Sequence, residues 1–157
     1  MARAGRKPVR KLQPTFILSV QYAMAADGLP SRQRMRSWAK AALQTDAHVT
    51  IRLVGVREGR TLNREYRGND YATNVLTFSY PDIAPLTGDV VLCAPVIAKE
   101  AHAQRKAIDA HYAHLVVHGM LHLQGYDHEN NADARVMETL EAEIVVRLGY
   151  AHPYGEQ

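Results

Sequence analysis

Between residues 16 and 22 apolar and polar side chains alternate, with Phe16, Leu18, Val20 and Tyr22 on one side and Ile17, Ser19 and Gln21 on the other. That is the two-residue period of a half-buried strand. Pro30-Ser31 is a helix-start signal, and the Met35, Trp38, Ala39, Ala42 and Leu43 that follow share one helical face. A second strand is expected over residues 48–56, where Val49, Ile51 and Leu53 alternate with Thr50, Arg52 and Val54. Glu58 to Tyr66 reads as a short helix, closed by the turn chemistry of Arg67-Gly68-Asn69-Asp70. Strand signals resume over residues 74–80, with Leu76, Phe78 and Tyr80 on one side, and again over residues 88–92.

From Pro95 onward every period is helical. A first helix runs from Pro95 to about Lys106, opening with proline in a tolerated first-turn place. Asp109 is placed to cap a second, which ends at Gly125. The second helix carries Leu115, Val116, Val117, Met120, Leu121 and Leu123 and is apolar nearly all round, which marks it as buried and central. A third spans residues 131–148, with Val136, Met137, Leu140, Ile144 and Leu148 on one stripe, and stops at Gly149. Strands early and helices late imply an α+β fold: one domain, a small mixed sheet of about four strands, helices packed on it, and a central helix of zincin-like character.

Composition narrows this picture in two ways. With 157 residues the chain is long enough for one well-buried core, and Cys93 is the only cysteine. No internal disulfide can form, and a reducing, cytoplasm-like compartment is the expectation. The net charge of +3 is unevenly placed, because Arg3, Arg6, Lys7, Arg10 and Lys11 precede any acid and the rest of the chain holds 14 basic against 16 acidic residues. Residues 1–12 are therefore expected to be a solvated, disordered basic arm, and residues 13–157 a slightly acidic domain. Arg32, Arg34, Arg36 and Lys40 on the first helix read as a solvated face, with contact to phosphate as the lesser alternative. The apolar run at 16–20 is too short for a secretory signal, and no run approaches the roughly 18–20 residues of a membrane span.

Chemistry concentrates in the histidines. Six of the eight lie between positions 102 and 128, and His111, His114, His118 and His122 follow one helical face. In His118-Gly-Met-Leu-His122-Leu-Gln-Gly125-Tyr126-Asp127-His128, two imidazoles one turn apart can reach one ion, and Gly125 lets the chain turn so that His128 supplies a third. Zinc suits such a set best, with nickel, copper and manganese as alternatives. Three ligands leave a coordination position open, as in catalytic sites; a structural site would draw a fourth from Cys93, Asp127 or His114. Asp127 reads better as a turn residue or an acceptor behind the ligands, and His114 as a group approaching from behind. The same histidine spacing occurs in metzincin peptidases, but Gly119 stands where those enzymes carry their general-base glutamate.

With that string in place the chain resembles the YbeY family of bacterial endoribonucleases, the rRNA maturation factors. Tyr66-Arg67-Gly68-Asn69-Asp70, Thr73-Asn74-Val75-Leu76-Thr77-Phe78, Gly88-Asp89-Val90-Val91, Met137-Glu138, Leu148-Gly149-Tyr150 and Pro153-Tyr154 extend the resemblance over most of residues 15–155. It implies a cytoplasmic, zinc-dependent, single-strand-specific RNase. Such an enzyme acts at the 3′ end of 16S rRNA, in ribosome biogenesis and in ribosome quality control, with the small ribosomal subunit and its proteins as partners and no membrane. It also implies that His118, His122 and His128 are the metal ligands and Arg67 the functional arginine.

An open metal site activates water or polarises a phosphoryl oxygen, and a guanidinium grips phosphate through paired hydrogen bonds, so the combination suits phosphodiester cleavage. A 2′,3′-cyclic phosphate product would mark attack by the RNA's own 2′-hydroxyl, and a 3′-hydroxyl would mark attack by water. Asp70, Asp89 and Asp127 are candidate proton acceptors by composition alone. The competing classes are a metallopeptidase-like hydrolase and a non-catalytic ribosome-assembly factor with a structural metal. For the arm, deletion of residues 1–11 is expected to leave the salt dependence of RNA binding unchanged; a slope flattened by several counterions would make the arm an RNA contact.

Overall fold

The computed structural model describes residues 13–155; the basic arm expected over residues 1–12 lies outside the described residues. The chain runs β1 (Phe16–Tyr22), α1 (Arg32–Ala41), β2 (Ala47–Val54), α2 (Val56–Arg67), β3 (Val75–Ser79), β4 (Leu86–Cys93), α3 (Ala94–Ala103), α4 (Ile108–Leu123) and α5 (Asn131–Arg147). The four strands form one mixed sheet in the order β1-β2-β4-β3. β1 and β2 are parallel, β2 and β4 are parallel, and β3 runs antiparallel to β4. The single α+β domain expected from the periodicity is what forms.

The two faces of the sheet have different fates because side chains alternate along each strand. Phe16, Val49, Ile51, Leu53, Val90 and Leu92 point to one face and join Met35, Trp38, Ile97, Val116, Val117, Met120, Leu121, Met137 and Ile144 in the main core. On the other face a smaller cluster of Val54, Leu76, Val91 and Cys93 is covered by Leu62 of α2 and by Val96, Ala72 and Phe78. The polar residues of that face are left facing a cleft, Gln21 from β1, Thr50 and Arg52 from β2 and Asp89 from β4 among them.

α4 is the central helix: His111, Tyr112, Ala113, Leu115, Val116, Val117, Gly119, Met120, Leu121 and Leu123 are all buried. It packs against β3, β4, α1, α3 and α5. Its approach to the sheet is set by glycine. A β-carbon on Gly119 would stand 2.9 Å from Val90 Cγ1, and one on Gly88 would stand 2.9 Å from the Phe78 carbonyl oxygen and 2.6 Å from Leu123 Cδ2. A glutamate at position 119 would therefore enter the sheet and not a site, which is a physical reason for the missing peptidase base.

Three local expectations are corrected. Asp109 does not cap α4: the N-cap is Ala107 with no side-chain cap, and Asp109 sits inside the first turn, paired with Arg34 of α1. A carboxylate there still favours the positive end of the helix dipole. Val56 begins α2 and does not extend β2. Val136 is 59% exposed, because the buried stripe of α5 is Met137, Glu141, Ala142, Ile144 and Val145. Ser31, by contrast, caps α1 as its sequence suggests, accepting a hydrogen bond from the Arg34 amide. The α1 arginines are engaged locally, Arg32 over the Tyr22 ring, Arg36 over Phe16 and Arg34 with Asp109.

Gly119→Ala is expected to destabilise the domain by about 1–3 kcal/mol, because the Val90 contact must be relieved by moving helix from sheet. Thermal unfolding checks this, at roughly 2–4 °C per kcal/mol for a chain of this length.

Candidate functional site

The three histidines of the motif come together at the C-terminal end of α4. His118 and His122 stand one turn apart on the helix, and the chain then reverses through Gly125, whose φ of 102° suits glycine and strains a residue with a β-carbon. His128 returns beside them. The ring centroids form a near-equilateral triangle: 6.1 Å from His118 to His122, 5.6 Å from His118 to His128, and 5.9 Å from His122 to His128. His122 and His128 are exposed and His118 is half-buried, so the cluster opens outward.

Hydrogen bonds fix which nitrogens are available. His118 Nδ1 lies 2.7 Å from Glu141 Oε1, and His122 Nδ1 lies 2.8 Å from the Tyr126 carbonyl oxygen. Ionised carboxylate and carbonyl oxygens only accept, so both Nδ1 atoms carry the proton and donate. In the neutral ring this leaves the Nε2 lone pair of each imidazole free, the tautomer a metal ligand needs. Zn–N bonds of about 2.0–2.1 Å in tetrahedral geometry would put the ring centroids roughly 5 Å apart. The spacing and the donor chemistry thus fit a first-row divalent ion. The rings, however, lie within 28° of parallel. Among the described residues no three His, Cys, Asp or Glu side chains already converge on one point.

Behind the cluster lies a residue that sequence reasoning missed. Glu141 of α5 is 1% exposed. Its Oε1 meets His118 Nδ1 and, at 3.3 Å, His114 Nε2, while its Oε2 accepts from the Tyr154 hydroxyl at 2.8 Å. Burial alone would raise its pKa; hydrogen bonds from His114 and His118, with their charges, outweigh burial and bring it to about 2. Burial also pushes the Tyr154 phenol up, with the Glu141 carboxylate adding to the effect. The available signal was an acid four residues after Met137, on the inward side of an amphipathic helix. It was weak because Glu138 and Glu143 carry the same side chain outward.

Arg67 ends α2, and Gly68 turns the chain away in a left-handed conformation with φ 77°. Its guanidinium donates to the Thr77 carbonyl at 2.6 Å and to the Tyr66 carbonyl at 3.2 Å, and lies 5.0 Å above the Phe78 ring. Arg67 and His122 line the same cleft, of about 830 Å³, together with Arg52, Tyr66, Phe78, Tyr80 and Asp89. The other residues singled out by composition separate. Asp70 is held by Arg60 and Arg64, with its pKa lowered chiefly by the Arg60 hydrogen bond. Asp127 caps a turn through the Glu129 amide. Asp89 accepts from the Tyr80 hydroxyl at 2.5 Å and is the one of the three that lines the cleft. Cys93 is buried in the smaller apolar cluster with its thiol toward the Gly55 carbonyl, and burial pushes that thiol up.

Because the Glu141 pKa is depressed in the folded state, its contribution to stability is present above its ordinary value near 4.5 and lost as pH falls toward 2. Glu141→Gln is expected to cost about 1.5–3 kcal/mol at neutral pH, since it replaces a buried charged acceptor of hydrogen bonds from His118 and Tyr154 by a neutral amide. It should also flatten the loss of stability below pH 4.5, and urea unfolding across pH 2–7 checks both.

The family model for the endoribonuclease YbeY matches residues 27–149. Over 137 residues the chain is 57% identical to the Endoribonuclease YbeY of Nitrosomonas eutropha, covering 87% of this chain and 97% of that protein. It is 50% identical over 144 residues to the Endoribonuclease YbeY of Methylobacillus flagellatus, covering 92% and 97%. The solution structure of TM1509 from Thermotoga maritima matches with a TM-score of 0.53 at 23% identity, covering 85% of this chain and 92% of that one, a likeness of fold. The matched span holds both the histidine string and the arginine segment, and the chain belongs to the YbeY endoribonuclease family.

Proposed function

We propose that this protein is a metal-dependent endoribonuclease that cuts single-stranded RNA. Its role is in rRNA processing at the 3′ end of 16S rRNA and in ribosome biogenesis and quality control, beside the small ribosomal subunit in the cytoplasm. The observation that carries this is the cluster of three imidazoles, two with Nε2 left free, one of which, His122, lines a cleft together with Arg67, whose hydrogen bonds among the described residues go to carbonyl oxygens. Family membership supplies the reaction class. No helix among the described residues is long and apolar enough to cross a membrane.

In this reading His118, His122 and His128 hold one divalent ion, zinc by preference. When bound, such an ion supplies Lewis acidity toward a phosphoryl oxygen. The protein's own groups do the rest. Glu141 and the Tyr126 carbonyl hold His118 and His122 in the ligating tautomer. Arg67 spends two of its five N–H donors on carbonyl oxygens and keeps three for the scissile phosphate. A guanidinium tied to backbone at two points needs little reorganisation to meet developing negative charge, which is where electrostatic stabilisation is largest. Asp89 lines the same cleft and accepts from the Tyr80 hydroxyl. The peptidase alternative lacks a base at position 119.

Metal-loaded protein is expected to cleave single-stranded RNA and to leave casein intact. His118→Ala with His122→Ala should abolish both cleavage and stoichiometric metal binding. RNA cleavage that persists in that variant would count against the metal site as the source of activity. Arg67→Ala should lower kcat/KM by about 10²- to 10³-fold with metal content unchanged; unchanged cleavage and RNA affinity would remove Arg67 from the mechanism.

A further inference from the structure

We propose that Tyr66, backed by Phe78, is a base-stacking subsite on the cleft wall that carries Arg67, and that it grips one unpaired base beside the scissile phosphate. This rests on the reading of the chain as an RNase. Tyr66 is 60% exposed, among the largest exposures of any aromatic side chain in the domain. Yet its ring is not loose: it meets Phe78 edge to face, with centroids 5.3 Å apart and planes at 74°. Phe78 in turn lies under the Arg67 guanidinium at 5.0 Å, and that guanidinium is tied to the Thr77 and Tyr66 carbonyls. Strand β3 and the last turn of α2 thus hold Tyr66, Phe78 and Arg67 as one ordered stack lining the cleft that reaches His122.

Order is what makes the exposed ring useful. An aromatic side chain already fixed by its neighbours loses little freedom when a base lies on it. Every base has a π-face, so such a platform tolerates sequence, but it needs the base unstacked from its own neighbours. A duplex keeps its bases stacked inside the helix, whereas single-stranded RNA can splay one out. Tyr66 and Arg67 are adjacent in the chain, so a base on the first and a phosphate on the second belong to the same short stretch of nucleotides. The preference for single strands then arises at Tyr66, apart from the metal cluster.

The test is a cycle in which kcat/KM is measured for a single-stranded RNA with either a normal base or an abasic nucleotide at each position near the cut. Wild-type protein should lose about 5- to 150-fold at one position when that base is removed, the span expected for one stacked base. Tyr66→Ala should lose a similar factor on the normal RNA and lose nothing further on the abasic one. Tyr66→Phe and Tyr66→Trp should retain wild-type behaviour. Equilibrium quenching of 2-aminopurine at the same position gives a readout independent of turnover, and should disappear in Tyr66→Ala while its melting temperature stays that of the wild type. Cleavage by wild type with no change in Tyr66→Ala, or with losses that simply multiply, overturns the stacking site and leaves the RNase reading standing; the exposed ring would then serve a protein partner. A wild-type protein that neither binds nor cleaves the RNA overturns both.

Discussion

A helix buried on nearly all sides can carry polar side chains only where another element meets them or where the packing opens. α4 is such a helix. Its contact with β3 and β4 passes over Gly119 and Gly88, where no β-carbon fits, and this close approach sets the height of the helix above the sheet. His118 and His122 emerge near its C-terminal end, half-buried and exposed in turn, while Met120, Leu121 and Leu123 of the same turns stay in the core. Displacing α4 from Val90 would carry both imidazoles with it, so the histidine cluster inherits its position from an apolar contact at the neighbouring Gly119.

The same constraint explains Glu141. A carboxylate on the buried stripe of α5 would be costly without partners, and α4 and the C-terminal segment provide three: His118, His114 and Tyr154. The arrangement ties α5 and residue 154 to the back of the cluster and fixes the proton on His118 Nδ1. At the other end of α4 a second polar chain does related work: His111 Nε2 lies 2.9 Å from Glu100, and Glu100 accepts from Asn74 at 3.0 Å. It links α4, α3 and the start of β3, the strand that carries Phe78 toward the cleft.

The cleft itself follows from leaving part of one sheet face uncovered. α2 shields Leu76, Val91 and Cys93, while Thr50, Arg52 and Asp89 stay open to it. Arg52 is neutralised by Glu58 in a paired hydrogen bond. Among the described residues Arg67 has no such partner and donates to carbonyl oxygens. The body is slightly acidic overall, and Arg67 brings to the cleft wall a positive charge that no carboxylate among the described residues neutralises.

Periodicity determined the order and type of the nine elements, because each amphipathic stretch meets the core with the face its spacing presents. It also marked α4 as central, since no water-facing side could be drawn on it. The 118–122–128 spacing identified the histidine cluster because helix pitch and one glycine turn are local geometry. What stayed out of reach depended on partners far away in the chain. Asp109 reads as a cap until Arg34, 75 residues earlier, is seen beside it. Val136 reads as core until α5 is seen to bury Met137, Glu141, Ala142, Ile144 and Val145, the carboxylate among them satisfied by three groups from elsewhere in the chain. Arg67 is one arginine among many in the sequence; only the tertiary structure sets it over Phe78, beside Tyr66 and in one cleft with His122, because that meeting joins a helix end, an edge strand and a distant helix.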